Sequence, residues 1–283
     1  MPNSKTSTLG KAFTINSEKE NFDFDWKFIL NADDQANAGM QVSETGWQDV
    51  QLPHDWSISQ NFDPKLSGSN GHLPGGIGWY RKMFRVDKKD KGRRIAVLFD
   101  GIYSRSDVYV NGQHLGFRPY GFCYQEYDLT PYLNYGAENV LAVRVNNPLE
   151  HDSVARWYTG AGIYRHAWLV KTAEVHVASY GTYVTTPVVT AERAEVRVRT
   201  SVANEAERTK TLSVRQQITD GEGRTVVQSG KQALQVAAGQ TADTEHTLKI
   251  PRPQLWDTEH PYLYTLHTAV YDGRKLVDTY ETV

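Results

Sequence analysis

The acidic residues of this chain offer one cluster that could do hydrolytic chemistry. Glu150 and Asp152 flank His151, between a strand-like run and an aromatic motif. Cleavage of a glycosidic bond with retained configuration needs two carboxyl groups about 5–5.5 Å apart, one as acid/base and one as nucleophile. A solvated loop explains the cluster better than an active site does. The sequence therefore predicts no catalytic residue.

Aromatic side chains suggest a second kind of chemistry, the binding of sugar. Pyranose rings present apolar C–H faces that can stack on tryptophan and tyrosine, while their hydroxyls bond to polar side chains. Trp56, Trp79, Trp157 and Tyr158 could form such a platform. The alternative is core or interdomain packing, which is the commoner role of large aromatics in a β-sandwich.

Two arginines, Arg156 and Arg165, bracket the motif that contains Trp157. They could reach the rim of a site, or they could hold a loop through carboxylate or carbonyl contacts. Asp55 is a candidate partner for either arginine. The nine histidines are scattered without ligand spacing, so the sequence predicts no metal and suggests no cofactor.

Glycines precede Trp79 in the run Gly75–Gly78. This run is not a phosphate-binding loop, because it lacks the following lysine and serine or threonine and does not open a helix. The glycines instead indicate that the backbone passes close to another element or to a ligand.

Composition excludes several classes of protein. The chain has 283 residues with 39% hydrophobic side chains, enough for two packed domains. A net charge of −2 gives no reason to expect nucleic acid or an anionic membrane as partner. Cys123 is the only cysteine, and the run Ile95–Phe99 is far too short to span a bilayer. We expect no signal peptide at the polar N-terminus, and the compartment, cytoplasmic or periplasmic, stays open.

Alternating patterns predict an all-β protein. In AEVRVRTSV, valines and arginines fall on opposite faces, which is typical of half-buried strands. Turn signals occur at Asn111-Gly112, Asp220-Gly221 and Asp272-Gly273. No long amphipathic helix is predicted, and DLTPYL could form one helical turn with Pro131 at its start.

The distribution of tryptophan predicts a domain boundary. Six of the seven tryptophans lie before residue 172, whereas the remainder is rich in Thr, Val, Glu and Arg. We predict an N-terminal tail over residues 1–20, a jelly-roll sandwich over 21–172 and an immunoglobulin-like sandwich over 173–283. Trp256 is expected to plug one end of the second sandwich.

Five motifs of the sequence are informative when they are taken together. They are LPHDWSI (Leu52–Ile58), GGIGWYRKMFRV (Gly75–Val86), LFDGIYSRSDVYVNGQHLG (Leu98–Gly116), RWYTGAGIYRHAWL (Arg156–Leu169) and PQLWDTEHPYLYTL (Pro253–Leu266). The first four resemble the N-terminal sugar-binding domain of glycoside hydrolase family 2, which includes β-galactosidases, β-glucuronidases and β-mannosidases. The last resembles the family's immunoglobulin-like domain.

The resemblance implies a role within a larger enzyme. Family members carry both catalytic glutamates in a barrel that follows these two domains, so the expected partners are that barrel and a β-glycoside or oligosaccharide substrate. We expect a non-catalytic region, β-galactosidase-like, whose first domain shapes the substrate cleft and whose second docks on the barrel. A stand-alone carbohydrate-binding module and a purely structural β-sandwich tandem are the alternatives.

One departure concerns direct sugar contact. Well-known bacterial β-galactosidases of the family place an asparagine and a sodium-binding aspartate from this domain in the galactose site. Here Gly75 or Gly76 and Arg156 stand at the corresponding places. The resemblance therefore does not supply those two contacts. We predict instead that Trp157 and Tyr158 are exposed and face the barrel.

Overall fold

The structure is a computed structural model, and it describes residues 17–30, 34–68, 71–148 and 157–283. Strands dominate these residues, and the helical pieces among them are short 3₁₀ turns. The chain divides into two compact units. The first is Lys19–Lys171, and the second is Thr172–Val283 together with the described N-terminal residues Ser17 and Glu18. Among the described residues, no helix is long and apolar enough to cross a membrane. The all-β prediction is confirmed.

The first unit contains two antiparallel sheets. Its strands are β1 (Glu18–Asn21), β2 (Trp26–Leu30), β3 (Gln48–Val50), β4 (Gly76–Arg85), β5 (Arg94–Phe99), β6 (Ser106–Val110), β7 (Gln113–Arg118), β8 (Gln125–Asp128), β9 (Glu138–Asn147) and β10 (Ala167–Thr172). In the described residues, the larger sheet has the order β3-β2-β4-β9-β6-β7 and the smaller β1-β10-β5-β8. Short 3₁₀ helices lie at Gln35–Ala38, Ser57–Ser59, Lys88–Asp90 and Thr130–Tyr132.

The core of the first unit lies where side chains of both sheets meet. Trp26 of β2 is fully buried, and its ring centroid lies 6.4 Å from that of Tyr80 on β4 and 6.3 Å from that of Phe99 on β5. Edge-on and tilted contacts at these separations are favourable for aromatic pairs. The buried run Ile95–Phe99 is therefore a central strand of a sandwich, as its composition suggests.

The Asn111-Gly112 turn is a two-residue hairpin that joins β6 to β7, as predicted. Asn111 has φ 51° and Gly112 has φ 85°, and Val110 pairs with Gln113. Positive φ at both positions is what a type I′ loop requires. The Asn111 side chain also accepts a hydrogen bond from the Val140 backbone N–H at 2.9 Å. The side chain thereby ties the turn to the start of β9.

The second unit also contains two antiparallel sheets. Its strands are β11 (Val175–Val189), β12 (Arg193–Asn204), β13 (Lys210–Thr219), β14 (Thr225–Gln228), β15 (Gln232–Val236), β16 (Gln240–Pro251), β17 (Thr265–Asp272) and β18 (Lys275–Thr282). In the described residues, one sheet has the order β11-β12-β16. The other has the order β14-β13-β17-β18, with β15 also pairing β13. Two antiparallel sheets of this kind are consistent with an immunoglobulin-like sandwich.

A polar bridge crosses the interior of the second unit. Gln216 of β13 faces inward with its apolar neighbours and is fully buried. Its amide donates to the Thr200 hydroxyl of β12 at 2.8 Å and accepts from the Thr268 hydroxyl of β17 at 2.7 Å. These bonds satisfy a group whose burial would otherwise be costly. Gln216 thus lies between two apolar clusters of this unit.

The prediction for Trp256 is wrong. Its side chain is 59% exposed in the irregular segment after β16, so it does not plug the sandwich. The strand itself ends at Pro251. The buried apolar cluster of this part of the unit contains smaller side chains instead, among them Ile250 and Leu266.

Candidate functional site

The motif after residue 156 lies against the motif that contains Asp55. The His54 backbone N–H donates to the Ile163 carbonyl at 2.8 Å, and the Trp56 N–H donates to the Ala161 carbonyl at 3.2 Å. Two loops far apart in sequence therefore run side by side like a short strand pair. This pairing brings the predicted site residues Asp55 and Tyr158 together.

The Asp55 carboxylate is the polar centre of this junction. Its Oδ1 accepts from the backbone N–H of Ser57 at 2.9 Å and of Ala161 at 3.0 Å. Its Oδ2 accepts from the Tyr158 hydroxyl at 2.6 Å. A Cβ on Gly160, where φ is +73°, would lie 2.8 Å from that same Oδ2. Glycine at this position therefore leaves the room that the carboxylate occupies.

A second polar pair lies beneath the junction. The Tyr80 hydroxyl lies 2.8 Å from His54 Nδ1. Burial raises the pKa of Tyr80 well above its ordinary value, and burial lowers the pKa of His54, an effect that nearby Asp55 opposes. A Cβ on Gly162, with φ +120°, would lie 2.3 Å from the Tyr80 oxygen. Both phenol and imidazole are thus held in neutral forms near pH 7.

The structure separates the four predicted platform aromatics into two pairs. Trp56 and Trp79 are almost completely buried, and Trp56 stacks on Phe28 at 5.5 Å with 20° between the rings. Neither ring presents a face on which a sugar could stack. The packing alternative therefore holds for these two. The backbone of Gly78 lies close to Phe28 and Trp56, and Trp79 belongs to a buried cluster with Ala38 and Ala142.

The other pair lies at the surface. Trp157 is 59% exposed and Tyr158 is 40% exposed. Their predicted exposure is confirmed, whereas their orientation toward a catalytic barrel stays a prediction. Burial, followed by the hydrogen bond to Asp55, raises the pKa of Tyr158. The Tyr158 ring is thus fixed by its hydroxyl and leaves part of its surface free.

The arginine expectations have separate outcomes. Arg156, like Glu150 and Asp152, lies outside the described residues. Within the described part of the chain, Asp55 bonds to Tyr158 and to backbone N–H groups and forms no ion pair with Arg165. Of the two arginines that the sequence offered as partners of Asp55, Arg165 is therefore not the partner, and pairing with Arg156 stays an expectation.

Sequence reasoning missed a second group of exposed aromatics. Between β7 and β8, Tyr120 is 61% exposed and Phe122 is 43% exposed. The ring centroid of Phe122 lies 6.4 Å from that of Trp157. The signal was present, since the segment FRPYGFCY carries four aromatics around one glycine. A loop of this composition is unusual, because connecting segments are commonly polar.

In the described ranges, no group of three or more His, Cys, Asp or Glu residues is arranged so that it could hold a metal ion. Asp55 illustrates the reason. Both of its oxygens already accept hydrogen bonds from a phenol and from backbone N–H groups.

The two units define a class of protein, and comparison with known families agrees. The chain belongs to family 2 of the glycosyl hydrolases. The family's sugar binding domain matches residues 12–173, and a second domain described as glycosyl hydrolases family 2 matches residues 175–283. The resemblance inferred from the motifs is thus confirmed.

Several relatives can be named. A β-galactosidase of Bacteroides ovatus is 43% identical over 268 residues, covering 94% of this chain and 31% of that protein. A β-glucuronidase of Formosa agariphila is 34% identical, with 93% and 29% covered. The chain spans about a third of the length of these curated relatives.

Solved structures agree with this assignment. A family 2 member from Bacteroides cellulosilyticus has a TM-score of 0.82 at 37% identity, covering 93% of this chain and 35% of that one. A family 2 β-glucuronidase has a TM-score of 0.85 at 31% identity, covering 96% and 30%. The fold of this chain is therefore shared with solved members of family 2, one of them a β-glucuronidase.

Proposed function

We propose that this chain is the N-terminal, non-catalytic region of a β-glycosidase, and that its first unit forms one wall of the substrate cleft. The observation that carries the proposal is the exposed Trp157–Tyr158 turn, anchored by Asp55 and left open to solvent. Exposed apolar patches on a folded domain mark interaction surfaces. The match to the family's sugar binding domain over residues 12–173 supports the same conclusion.

The chemistry of the described carboxylates supports a non-catalytic role. Glycoside cleavage needs an acid and a nucleophile held across the anomeric carbon. Asp55, the carboxylate at the candidate site, already accepts three hydrogen bonds within the domain. The resemblance to the family puts the catalytic glutamates in a barrel beyond these two domains. The second unit would then act as a spacer that docks on that barrel.

The parent activity that we favour is β-galactosidase. The B. ovatus relative of that name is 43% identical, compared with 34% for the F. agariphila β-glucuronidase. A stand-alone carbohydrate-binding module is the second candidate, and the exposed rings of Trp157 and Phe122 favour it over a structural tandem without ligand. The two candidates differ in whether the chain needs a catalytic partner to act.

A domain exchange tests the proposal. The corresponding third of the B. ovatus β-galactosidase would be replaced by this chain, and hydrolysis of nitrophenyl β-galactoside and β-glucuronide would be measured. We expect activity from the hybrid on the galactoside and none from this chain alone. The remaining two thirds of the relative, expressed without a replacement, serve as the control and should be inactive or unstable.

Two outcomes would contradict the proposal. One is turnover that purifies with this chain alone and disappears on replacing Glu150 or Asp152 by alanine. The other is a folded hybrid that fails on both substrates while the unmodified relative works in the same assay. The first result would show that this chain is itself an enzyme. The second would show that the surface of its first unit does not form a wall of the substrate cleft.

A further inference from the structure

The second unit has an open sheet edge along the outer half of β11. In the described residues, the sheet order is β11-β12-β16, so β11 pairs with β12 on one side and with no strand of its sheet on the other. We call Thr182–Val189 of β11 the open edge. Backbone N–H and C=O groups along such an edge are a template for a further strand, and native proteins normally cover it.

Apolar side chains lie uncovered along the open edge. Val184 lies opposite Val198, and Val189 lies opposite Ala194. Val198 and Ala194 belong to one buried apolar cluster, and residues directly opposite on paired strands share a face of the sheet. Val184 and Val189 therefore face the core side, yet they are 38% and 50% exposed. In the described residues, the core side of this sheet is thus incompletely covered at the open edge.

The last strand, β18, is directed along the open edge. Asp278 Oδ2 accepts from the Val177 backbone N–H at 2.7 Å, and the hydroxyls of Thr182 and Thr282 lie 2.7 Å apart. The residue numbers of both strands increase together between these contacts, so β18 runs parallel to β11. Polypeptide that continues in the direction of β18 would therefore lie beside residues 183–189.

The sequence of the open edge favours an occupant from the same polypeptide. Pro187 has no N–H, and it lies where the β11–β12 register is irregular, between Thr185 and Val188. Proline and bulges blunt edges against free partners, and only Thr182–Thr186 remains uninterrupted. A run this short offers a separate protein little affinity, whereas a tethered segment acts at an effective concentration on the order of millimolar.

We propose that the open edge receives a parallel strand from the polypeptide that follows Val283 in the parent enzyme, and that apolar side chains of this strand cover Val184 and Val189. The inference rests on the proposed function, which puts the catalytic part after the second unit. The chain covers 31% of the B. ovatus β-galactosidase, so that relative supplies a candidate segment. The second unit would then reach its full stability only when it is joined to the catalytic part.

Hydrogen exchange followed by mass spectrometry tests the open edge. The chain is compared with the same chain extended by about ten residues, taken from the B. ovatus β-galactosidase directly after the matched region, because a strand that rises about 3.3 Å per residue then spans the edge. We expect the amides of residues 182–189 to exchange about tenfold more slowly, or slower still, in the extended chain. The hybrid enzyme of the domain exchange should show the same protection, whereas β14 should exchange alike in all three proteins.

Val184→Lys tests the apolar contact. In the unextended chain a lysine at the open edge can reach water with its ammonium group, so the melting midpoint should change little. In the extended chain the charge meets the added strand, and the exchange of residues 182–189 should return to the rate of the unextended chain. If Val184→Lys unfolds the unextended chain, Val189→Lys replaces it, because Val189 is 50% exposed.

Thr241→Lys is the matched control. It adds the same charge at an exposed position of β16, the strand at the opposite edge of the same sheet. This variant should keep the protection that the extension gives. A second control is the extension with its apolar residues replaced by serine, which should give no protection.

Three results would overturn the proposal. The first is unchanged exchange of residues 182–189 in both the extended chain and the hybrid, and the second is equal protection by the serine-substituted extension. The third is protection of the unextended chain that rises with protein concentration, because a second copy would then be the occupant. Failure here is distinguishable from failure of the proposed function. An active hybrid with an unprotected open edge would refute only this inference, and an inactive hybrid with a protected edge would refute only the role in the substrate cleft.

Discussion

Replacing Asp55 by alanine should release the turn that carries Trp157 and Tyr158. The carboxylate accepts hydrogen bonds from the Ser57 and Ala161 backbone N–H groups and from the Tyr158 hydroxyl. Alanine removes all three acceptors at once. Ser57 and Ala161 are fully buried, so their N–H groups have little access to water after the change.

The magnitude follows from those two backbone donors. A buried donor left without a partner costs about 1–3 kcal/mol. The Tyr158 hydroxyl can turn to water, because the side chain is 40% exposed, and it adds little. We therefore expect a loss of about 2–6 kcal/mol, which lowers the melting temperature of a domain of this size by roughly 4–24 °C.

Calorimetry and amide hydrogen exchange measure the effect. Asp55→Ala should lower the first unit's transition and abolish slow exchange at Ala161. Asp55→Asn is the matched control: it retains one oxygen for the two N–H groups and should cost about 1 kcal/mol. An Asp55→Ala protein with an unchanged transition and a protected Ala161 amide would refute the claim that this carboxylate holds the turn.

Three further predictions concern the turns and the titrating groups. Gly112→Val should destabilise the first unit by about 1–2 kcal/mol, because φ there is +85°, whereas Gly230→Val, at an open position without positive φ, should change the melting midpoint little. The pKa values of Tyr80 and Tyr158 are raised in the folded state above their ordinary value of 10.0. The two neutral phenols therefore contribute stability that is fully present below pH 10. Thermal scans should therefore show this stability decreasing as the pH rises above that value. Burial lowers the pKa of His246 from 6.5, so the second unit should lose stability as the pH falls below that value, and His246→Leu should flatten this acid dependence.

Local chemistry made much of the fold predictable. The Asn111-Gly112 turn follows from the φ values that only a few residues tolerate, and the burial of the preceding strand β6 alternates from residue to residue. The alternation in TLSVRQQI also puts Gln216 on one face with Leu212 and Val214, so its inward orientation can be predicted from the sequence. Its bonds to Thr200 and Thr268 were not visible, because such partners lie on strands distant in sequence.

The candidate site was predictable only in part, because burial of an aromatic ring depends on distant neighbours. Trp56 and Trp157 occur in similar aromatic motifs, yet one is buried against Phe28 and the other is largely exposed. Neither strand period nor local composition distinguishes them. The sequence singled out Asp55 as a candidate, but two of the three donors that the structure shows for it are backbone groups, which leave no trace in side-chain patterns.

Two glycines of the turn leave room for polar groups of other elements. In most surface turns small or polar residues face solvent, and apolar ones face the core. Here the Asp55 carboxylate lies where a Cβ on Gly160 would need room, and the Tyr80 hydroxyl lies where a Cβ on Gly162 would need room. The inner side of the turn is thus filled by polar groups of other elements. Trp157, three residues before Gly160, is 59% exposed. The turn therefore presents aromatic surface to solvent, and the proposed function assigns that surface to the wall of the cleft.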